Sequence, residues 1–171
     1  FTSFLGFKVN SGEHKVMGLA PYGEPIYKKL IYDNLIDIKN DGSFKLNLDY
    51  FKYYYDLEMF TDKFSDLFEI KKRDHEDKIL EKHTDIAASL QKVLDEVIYN
   101  IAKEAKKITK HNSLCLAGGV ALNCVSNGFL LKKNLFKNIW VQPAAGDAGG
   151  SLGVAYYILR DICKYEKRKI D

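Results

Sequence analysis

The sequence predicts an α/β fold, and three observations carry that prediction. Between positions 84 and 112, Ile86, Leu90, Val93, Leu94, Val97, Ile101, Ala105 and Ile108 recur at steps of three and four, the spacing of one long amphipathic helix. Beyond it, two short apolar runs at 114–117 and 138–142 read as strands separated by a helical stretch over 120–131. Strands joined through a helix pair in parallel, because a crossover returns the chain to the same end of the sheet. Finally, seven of the twelve glycines lie between positions 118 and 153, grouped around the turns that follow these strands.

The elements follow in order. Residues 1–25 are punctuated by Gly6, Gly12, Gly18 and Gly23, with Pro21 and Pro25 near the end. Phe4, Leu5, Phe7 and Val9 read as a strand, Ser11-Gly12-Glu13 as a turn or helix start, and 15–20 as one or two helical turns stopped by Pro21. Residues 27–32 read as helical. Ile36 and Ile38, then Phe44, Leu46 and Leu48, alternate with polar residues around Asn40-Asp41-Gly42-Ser43. This is a β-hairpin signal, since Asp-Gly supplies the positive φ angles of a tight turn. The aromatic run from Tyr50 to Tyr55 is either a platform that stacks on a base or aromatic substrate, or a packed, half-exposed surface segment. Residues 71–82 are charged and expected to be exposed. Thr84 is the expected N-cap of the long helix, which should end near His111-Asn112. A buried strand at 114–117, a sharp turn at Gly118-Gly119, a helix over 120–131 open to interruption at Gly128, a loop over 143–150 and a closing helix over 151–165 complete the chain.

Composition narrows the function classes. The 171 residues suffice for one domain with its own core. Hydrophobic residues at 46% and charged residues at 29% are a globular balance. No apolar run approaches the ~20 residues of a membrane helix. The first residues show no signal peptide, and the missing initiator Met points to a start inside a longer protein. A net charge of +3, with basic residues dispersed, argues against nucleic acid as a partner. The run from Lys164 to Lys169 reads as a solvated helix end. Cys115, Cys124 and Cys163 form neither a CxxC pair nor zinc spacing, and their odd count suits free thiols in a reducing cytoplasm.

The two glycine loops are where ligand chemistry is expected. Open α/β sheets bind ligands beyond the carboxyl ends of their strands. Glycine there admits a phosphate or ribose to the backbone, and a helix N-terminus offers unpaired N–H donors. The first loop, from Leu116 to Asn123, is neither a P-loop nor GxGxxG. Its Gly118-Gly119 fits either anion binding or tight strand–helix packing. Asn123, one turn on, either hydrogen-bonds a base or sugar or is a plain polar helix residue. The second loop, from Pro143 to Gly150, holds one carboxylate, Asp147. It reads as a helix N-cap or as a ligand to a metal ion near phosphates.

Three motifs resemble one family. The stretch from Gly12 to Gly23, GEHKVMGLAPYG, is similar to the first-domain signature of nodulation-factor and antibiotic O-carbamoyltransferases. LAGGVALNC, from Leu116 to Cys124, resembles their second signature, and QPAAGDAGG, from Gln142 to Gly150, their third. Asp85 to Gln91 is similar to the helix before the second signature. The resemblance covers nearly the whole chain. It implies an actin-like ATPase (ASKHA, RNase H-like) lobe of parallel strands and crossover helices, with the small hairpin as an insertion. Residues 1–171 would then be the second lobe of an N-terminal nucleotide- and metal-binding domain. The upstream lobe and a C-terminal carbamoyl-phosphate-activating domain would lie outside this chain, and the isolated chain would be inactive.

The resemblance also implies roles by position. Gly118, Gly119 and Asn123 match the adenosine-binding turn. Lys15 and Gly23 match the segment lining the nucleotide's other side, and Gly146 belongs to the third signature. Asp147 matches a metal-ligating aspartate whose two histidine partners form an HxxxH pair upstream. Such a set suits Fe(II) or a similar divalent ion. His14, His75, His83 and His111 show no such spacing and read as surface or local structural residues. The implied substrates are carbamoyl phosphate and ATP, which give a carbamoyl adenylate, and a hydroxylated small-molecule acceptor. No residue is assigned as general base. Two other readings stay open: a tRNA threonylcarbamoyl-transfer protein of the same superfamily, and a non-catalytic nucleotide-binding or interaction module.

Overall fold

A computed structural model describes residues 1–165. Turns over the first residues lead to α1 (Glu13–Leu19), a 3-10 turn (Ala20–Tyr22) and α2 (Lys28–Asn34). The hairpin β1 (Ile36–Ile38) and β2 (Phe44–Leu46) follows, then α3 (Asp62–Phe68) and the long α4 (Glu81–Thr109). The last part is β3 (Ser113–Leu116), a 3-10 turn (Gly119–Leu122), α5 (Cys124–Lys132), β4 (Asn138–Val141) and α6 (Gly149–Tyr157), extended by a π-helical turn (Ile158–Ile162). The α/β reading holds: β3 and β4 pair in parallel, Leu114 opposite Ile139 and Leu116 opposite Val141, with α5 as the crossover. The antiparallel hairpin also stands, turning at Gly42 with φ +83°. Asp41 Oδ1 accepts from the Ser43 backbone N–H and hydroxyl, and these bonds hold its pKa below the usual carboxylate value.

The N-terminal segment departs from the expected strand. Residues 1–7 coil through turns, with Leu5 N–H bonded to the Phe1 carbonyl and Phe7 N–H to that of Thr2. Phe4 and Leu5 are both fully buried. A strand would send these neighbours to opposite faces, and the aromatic core draws both inward. Phe64 is the hub of that core, with the rings of Phe1, Phe4, Phe51, Phe60 and Phe68 at centroid distances of 5.0–5.9 Å. Burying a Phe side chain contributes about 2–3 kcal/mol by area, and edge-to-face pairs add to it.

Three further expectations are corrected. Residues 71–82 are not uniformly exposed. Arg73 is buried, donating Nε to the Leu5 carbonyl at 2.7 Å and Nη1 to those of Asp77 at 2.6 Å and His75 at 3.1 Å. A charge run in sequence does not reveal a cation capped wholly by carbonyls. Thr84 is not the N-cap. The helix starts at Glu81 after Leu80, whose N–H donates to His83 Nδ1 at 3.0 Å, and Thr84 Oγ1 bonds back to the Glu81 carbonyl. Strand 114–117 is only half-buried: Leu114, Leu116 and Ile139 pack on Ala102, Leu130 and Phe136, while Cys115 and Trp140 face outward.

His83 is a local structural histidine, as read. Its Nε2 has no hydrogen-bond partner among the described residues. Burial, with the nearby Arg73 cation adding to it, lowers its pKa below the ordinary value.

The long helix runs under both parts of the molecule. Residues 83–89 are buried all round, a stronger enclosure than an amphipathic stripe implies. Farther on, Ile101 and Ile108 of the same stripe are exposed. Glu96 on α4 ties down α2, accepting from Lys28 Nζ at 2.7 Å and the Tyr32 hydroxyl at 2.6 Å. Burial opposes ionisation of Glu96, but these two donors outweigh it and keep its pKa below the usual range. Burial and the bond to Glu96 push the Tyr32 phenol upward. The helix over 120–131 begins only at Cys124 and passes Gly128 without a break. The closing helix ends at Ile162, and residues 150–165 are all exposed. The basic run from Lys164 to Lys169 lies, beyond Tyr165, outside the described residues.

Candidate functional site

Both glycine loops leave the carboxyl ends of the parallel strands, and their order in the sheet makes them neighbours. Gly118 N–H donates to the Ala145 carbonyl at 2.7 Å. The Leu122 side chain and the Gly119 backbone lie 3.8–3.9 Å from where a Cβ on Gly146 would stand. Gly118 sits at φ +101°, a region that side chains disfavour. A Cβ built on Gly118 or Gly119 would meet no atom within 4 Å. The space over this turn is therefore open, and tight strand–helix packing does not account for the pair.

Asn123 is the N-cap of α5, its Oδ1 accepting from Ser126 N–H at 3.0 Å. Its Nδ2 donates to Gln91 Oε1 at 3.0 Å, and Gln91 Nε2 lies 3.3 Å from its Oδ1. An asparagine amide has two donor hydrogens and two acceptor lone pairs. Ser126 N–H engages the oxygen and Gln91 Oε1 one hydrogen; Gln91 Nε2, whose two hydrogens point to Asp95 and Ser126, makes only the longer approach to Oδ1, and one N–H of Asn123 has no partner among the described residues. Asn123 is thus first a cap, with a single donor available to a ligand.

The other predicted site residues divide. Asp147 is exposed at the head of α6, and no side-chain cap closes that helix. Its carboxylate makes no hydrogen bond or ion pair among the described residues; only its backbone carbonyl is used, by Gly150 N–H at 3.0 Å. The N-cap reading of Asp147 therefore falls. The described residues assemble no group of three or more potential metal ligands. As donor chemistry, the exposed Asp147 carboxylate is of the kind that binds a divalent ion. Lys15 is exposed on α1. That helix lies beside the end of the first loop, where Met17 Sδ comes 3.9 Å from Cys124 Sγ at the start of α5. Gly23 faces the other way: a Cβ there would stand 2.2 Å from the Thr84 carbonyl carbon. Its lack of a side chain lets the 20–24 segment close onto the α4 backbone.

Sequence reasoning missed the polar residues on α4 that hold these signatures in place. Asp85 Oδ1 accepts from Glu24 N–H at 2.8 Å, and Ser89 Oγ from Tyr27 N–H at 2.9 Å. Two residues beyond Ser89, Gln91 Nε2 donates to Asp95 Oδ1 at 2.8 Å and to Ser126 Oγ at 2.9 Å. Ser126 Oγ donates to the same Asp95 oxygen at 2.6 Å. The available signal was four polar residues interleaved with the apolar stripe of an amphipathic helix.

Comparison with known proteins identifies the family. The family model of the carbamoyltransferase N-terminus matches residues 1–156. An uncharacterised protein of Synechocystis is 52% identical over 98% of this chain and 27% of its own length. Nodulation protein NolO of Bradyrhizobium diazoefficiens is 36% identical over 88% of this chain and 25% of its own. Nodulation protein NolNO of Sinorhizobium fredii is 35% identical over 93% and 22% respectively. The chain spans about a quarter of the length of these relatives. With a model match across nearly the whole chain and glycine loops joined at the ends of parallel strands, this chain belongs to the carbamoyltransferase N-terminus family.

Proposed function

We propose that the chain is the nucleotide- and metal-facing second lobe of the actin-like (ASKHA) domain of an O-carbamoyltransferase. The observation that carries this reading is the bond from Gly118 to Ala145, which sets two glycine loops side by side under open space with an uncommitted Asp147 carboxylate at the rim. In the whole protein, a separate domain makes carbamoyl adenylate from carbamoyl phosphate and ATP. This lobe then holds the adenylate for transfer. An acceptor oxygen attacks the carbamoyl carbon, the carbon–oxygen bond to AMP breaks, and the hydroxyl proton passes to a general base to which no residue is assigned.

Each residue here has a limited task. Gly118, Gly119 and Gly146 admit phosphate or ribose to the backbone, where the N-termini of α5 and α6 present their N–H dipoles. Asn123 offers its one remaining N–H, and Lys15 adds a positive charge from α1. Gly23 acts by letting the first signature close on α4. Asp147 contributes one ligand to a divalent ion, Fe(II) or similar, which when bound stabilises negative charge at the carbonyl or phosphate oxygens. Holding both reactants in place supplies a large part of the acceleration. The acceptor is a hydroxylated small molecule.

The test uses the full-length protein, with carbamoyl-phosphate-dependent release of AMP and pyrophosphate followed beside carbamoyl transfer. In Asp147→Ala, adenylate formation should persist while transfer falls by about two to three orders of magnitude, the cost of losing electrostatic stabilisation at the reacting atoms. Equal transfer by both proteins would remove Asp147 from the site.

A further inference from the structure

We propose that Gln91, locked by Asp95, is a positioning residue that decides which end of the Asn123 side-chain amide faces the ligand. The inference rests on the reading of the Gly118–Gly119 turn as the nucleotide's seat.

The argument is one of hydrogen-bond polarity. A side-chain amide is nearly symmetric in shape, and a half-turn exchanges its donor for its acceptor. Two groups around Asn123 cannot be exchanged in this way. The backbone N–H of Ser126 only donates, and it meets Asn123 Oδ1 at 3.0 Å. The Asp95 oxygen accepts twice, from Ser126 Oγ at 2.6 Å and from Gln91 Nε2 at 2.8 Å. Asp95 thus turns the nitrogen of Gln91 toward itself and its oxygen toward Asn123, where it accepts from Nδ2 at 3.0 Å. Polarity runs from Asp95 through Gln91 to Asn123 and closes at Ser126.

Burial makes the arrangement hard to replace. Gln91, Asp95 and Ser126 are 8%, 7% and 0% exposed, so bulk water cannot take over a lost bond. A buried polar network left half-satisfied costs more than an apolar contact of the same shape. Asn123 itself is only half-buried, and it closes the 3-10 turn Gly119–Leu122 that follows Gly118. With Oδ1 turned to the Ser126 N–H and Nδ2 bonded to Gln91, the N–H without a partner among the described residues is the group it offers a ligand. The ligand atom that meets it is an acceptor, such as a ribose oxygen, a purine ring nitrogen or a phosphate oxygen. An amino group is refused at that point.

The test measures AMP binding to the full-length protein by calorimetry, with the melting temperature recorded alongside. Gln91→Glu sets a carboxylate oxygen against the Asp95 oxygen that lies 2.8 Å from Gln91 Nε2, which drives the side chain at 91 off Asn123 Nδ2, and AMP affinity should fall about tenfold or more. The double variant Gln91→Glu/Asp95→Asn restores the polarity, because the new amide at position 95 donates to the new carboxylate at 91, which still accepts from Asn123. Its affinity should return to within about threefold of the starting protein. Leu130→Ala empties a fully buried position on α5. It should lower the melting temperature at least as much while leaving AMP affinity within about twofold. Should Gln91→Glu fail to fold, Gln91→Met fills the same space without hydrogen bonds and carries the same expected loss. Unchanged affinity in the Gln91 variants would overturn the proposal, as would an affinity loss in Leu130→Ala that matches theirs. A starting protein that binds no AMP would instead bring down the nucleotide reading, and this inference with it.

Discussion

The part of the chain before the middle of α4 and the part after it are packed to different degrees. The first encloses twelve residues in one cluster around Phe64, and the second encloses three, Ala102, Leu130 and Phe136. Parallel sheets are ordinarily covered on both faces. Here the face bearing Cys115 and Trp140 is bare among the described residues, and residues 150–165 expose both apolar and polar side chains. The signature loops lie in the thinly packed part, while the polar residues that steady them project from α4, which the first part grips. The difference teaches that this chain separates anchorage from presentation. A dense cluster fixes the first half of the long helix, and from the edge of that half Gln91 and Asp95 reach the loosely packed ligand edge.

Substitutions can break that comparison or sharpen it. Phe64→Ala should cost about 3–5 kcal/mol by urea denaturation of this chain. Trp140→Ala, at a side chain 56% exposed, should stay within about 0.5 kcal/mol. Comparable losses at the two sites would end the distinction. Gly23→Ala comes next, at about 2 kcal/mol or more, because its Cβ would stand 2.2 Å from the α4 backbone. Gly153→Ala inverts the sign. It places a methyl in open space on α6 and should raise stability by about 0.5–1 kcal/mol.

The smallest effect is a slope. The folded-state pKa of His83 is depressed, so the unfolded chain binds its proton first and stability is lost as pH falls. The loss starts near the unfolded value of about 6.5 and accumulates down to the folded one. His83→Asn keeps an acceptor for the Leu80 N–H and removes the titration. Denaturant midpoints measured from about pH 7.5 to 5 should then fall less steeply than in the starting protein. Parallel slopes would show that His83 is not the titrating group.

Much of the architecture was legible because it follows from short-range rules. The three- and four-residue spacing from Ile86 to Ile108 gave the long helix, Asn40-Asp41-Gly42-Ser43 the hairpin, and two apolar runs around a helix the parallel pair. What sequence hid was long-range. Phe4 and Leu5 read as a strand because nothing local shows that aromatic rings from α3 draw both inward. Arg73 read as exposed because its partners are carbonyls, which every residue carries. At the site, Gly118, Gly119 and Asp147 were visible as glycines and a carboxylate after strands. The bond of Asn123 to Gln91 and the packing duty of Gly23 emerged only once α4 was placed beside them.

The bond from Gly118 to Ala145 lies beyond the last strand pair, Leu116 with Val141. It joins the two signatures across the sheet, so the Gly118 amide proton trades with solvent through openings that part the two loops. Its deuterium uptake is a clock for the gape of the whole ligand edge, readable with no substrate present. A nucleotide spanning both loops should slow that clock, while one resting on a single loop should leave it running at its unliganded rate.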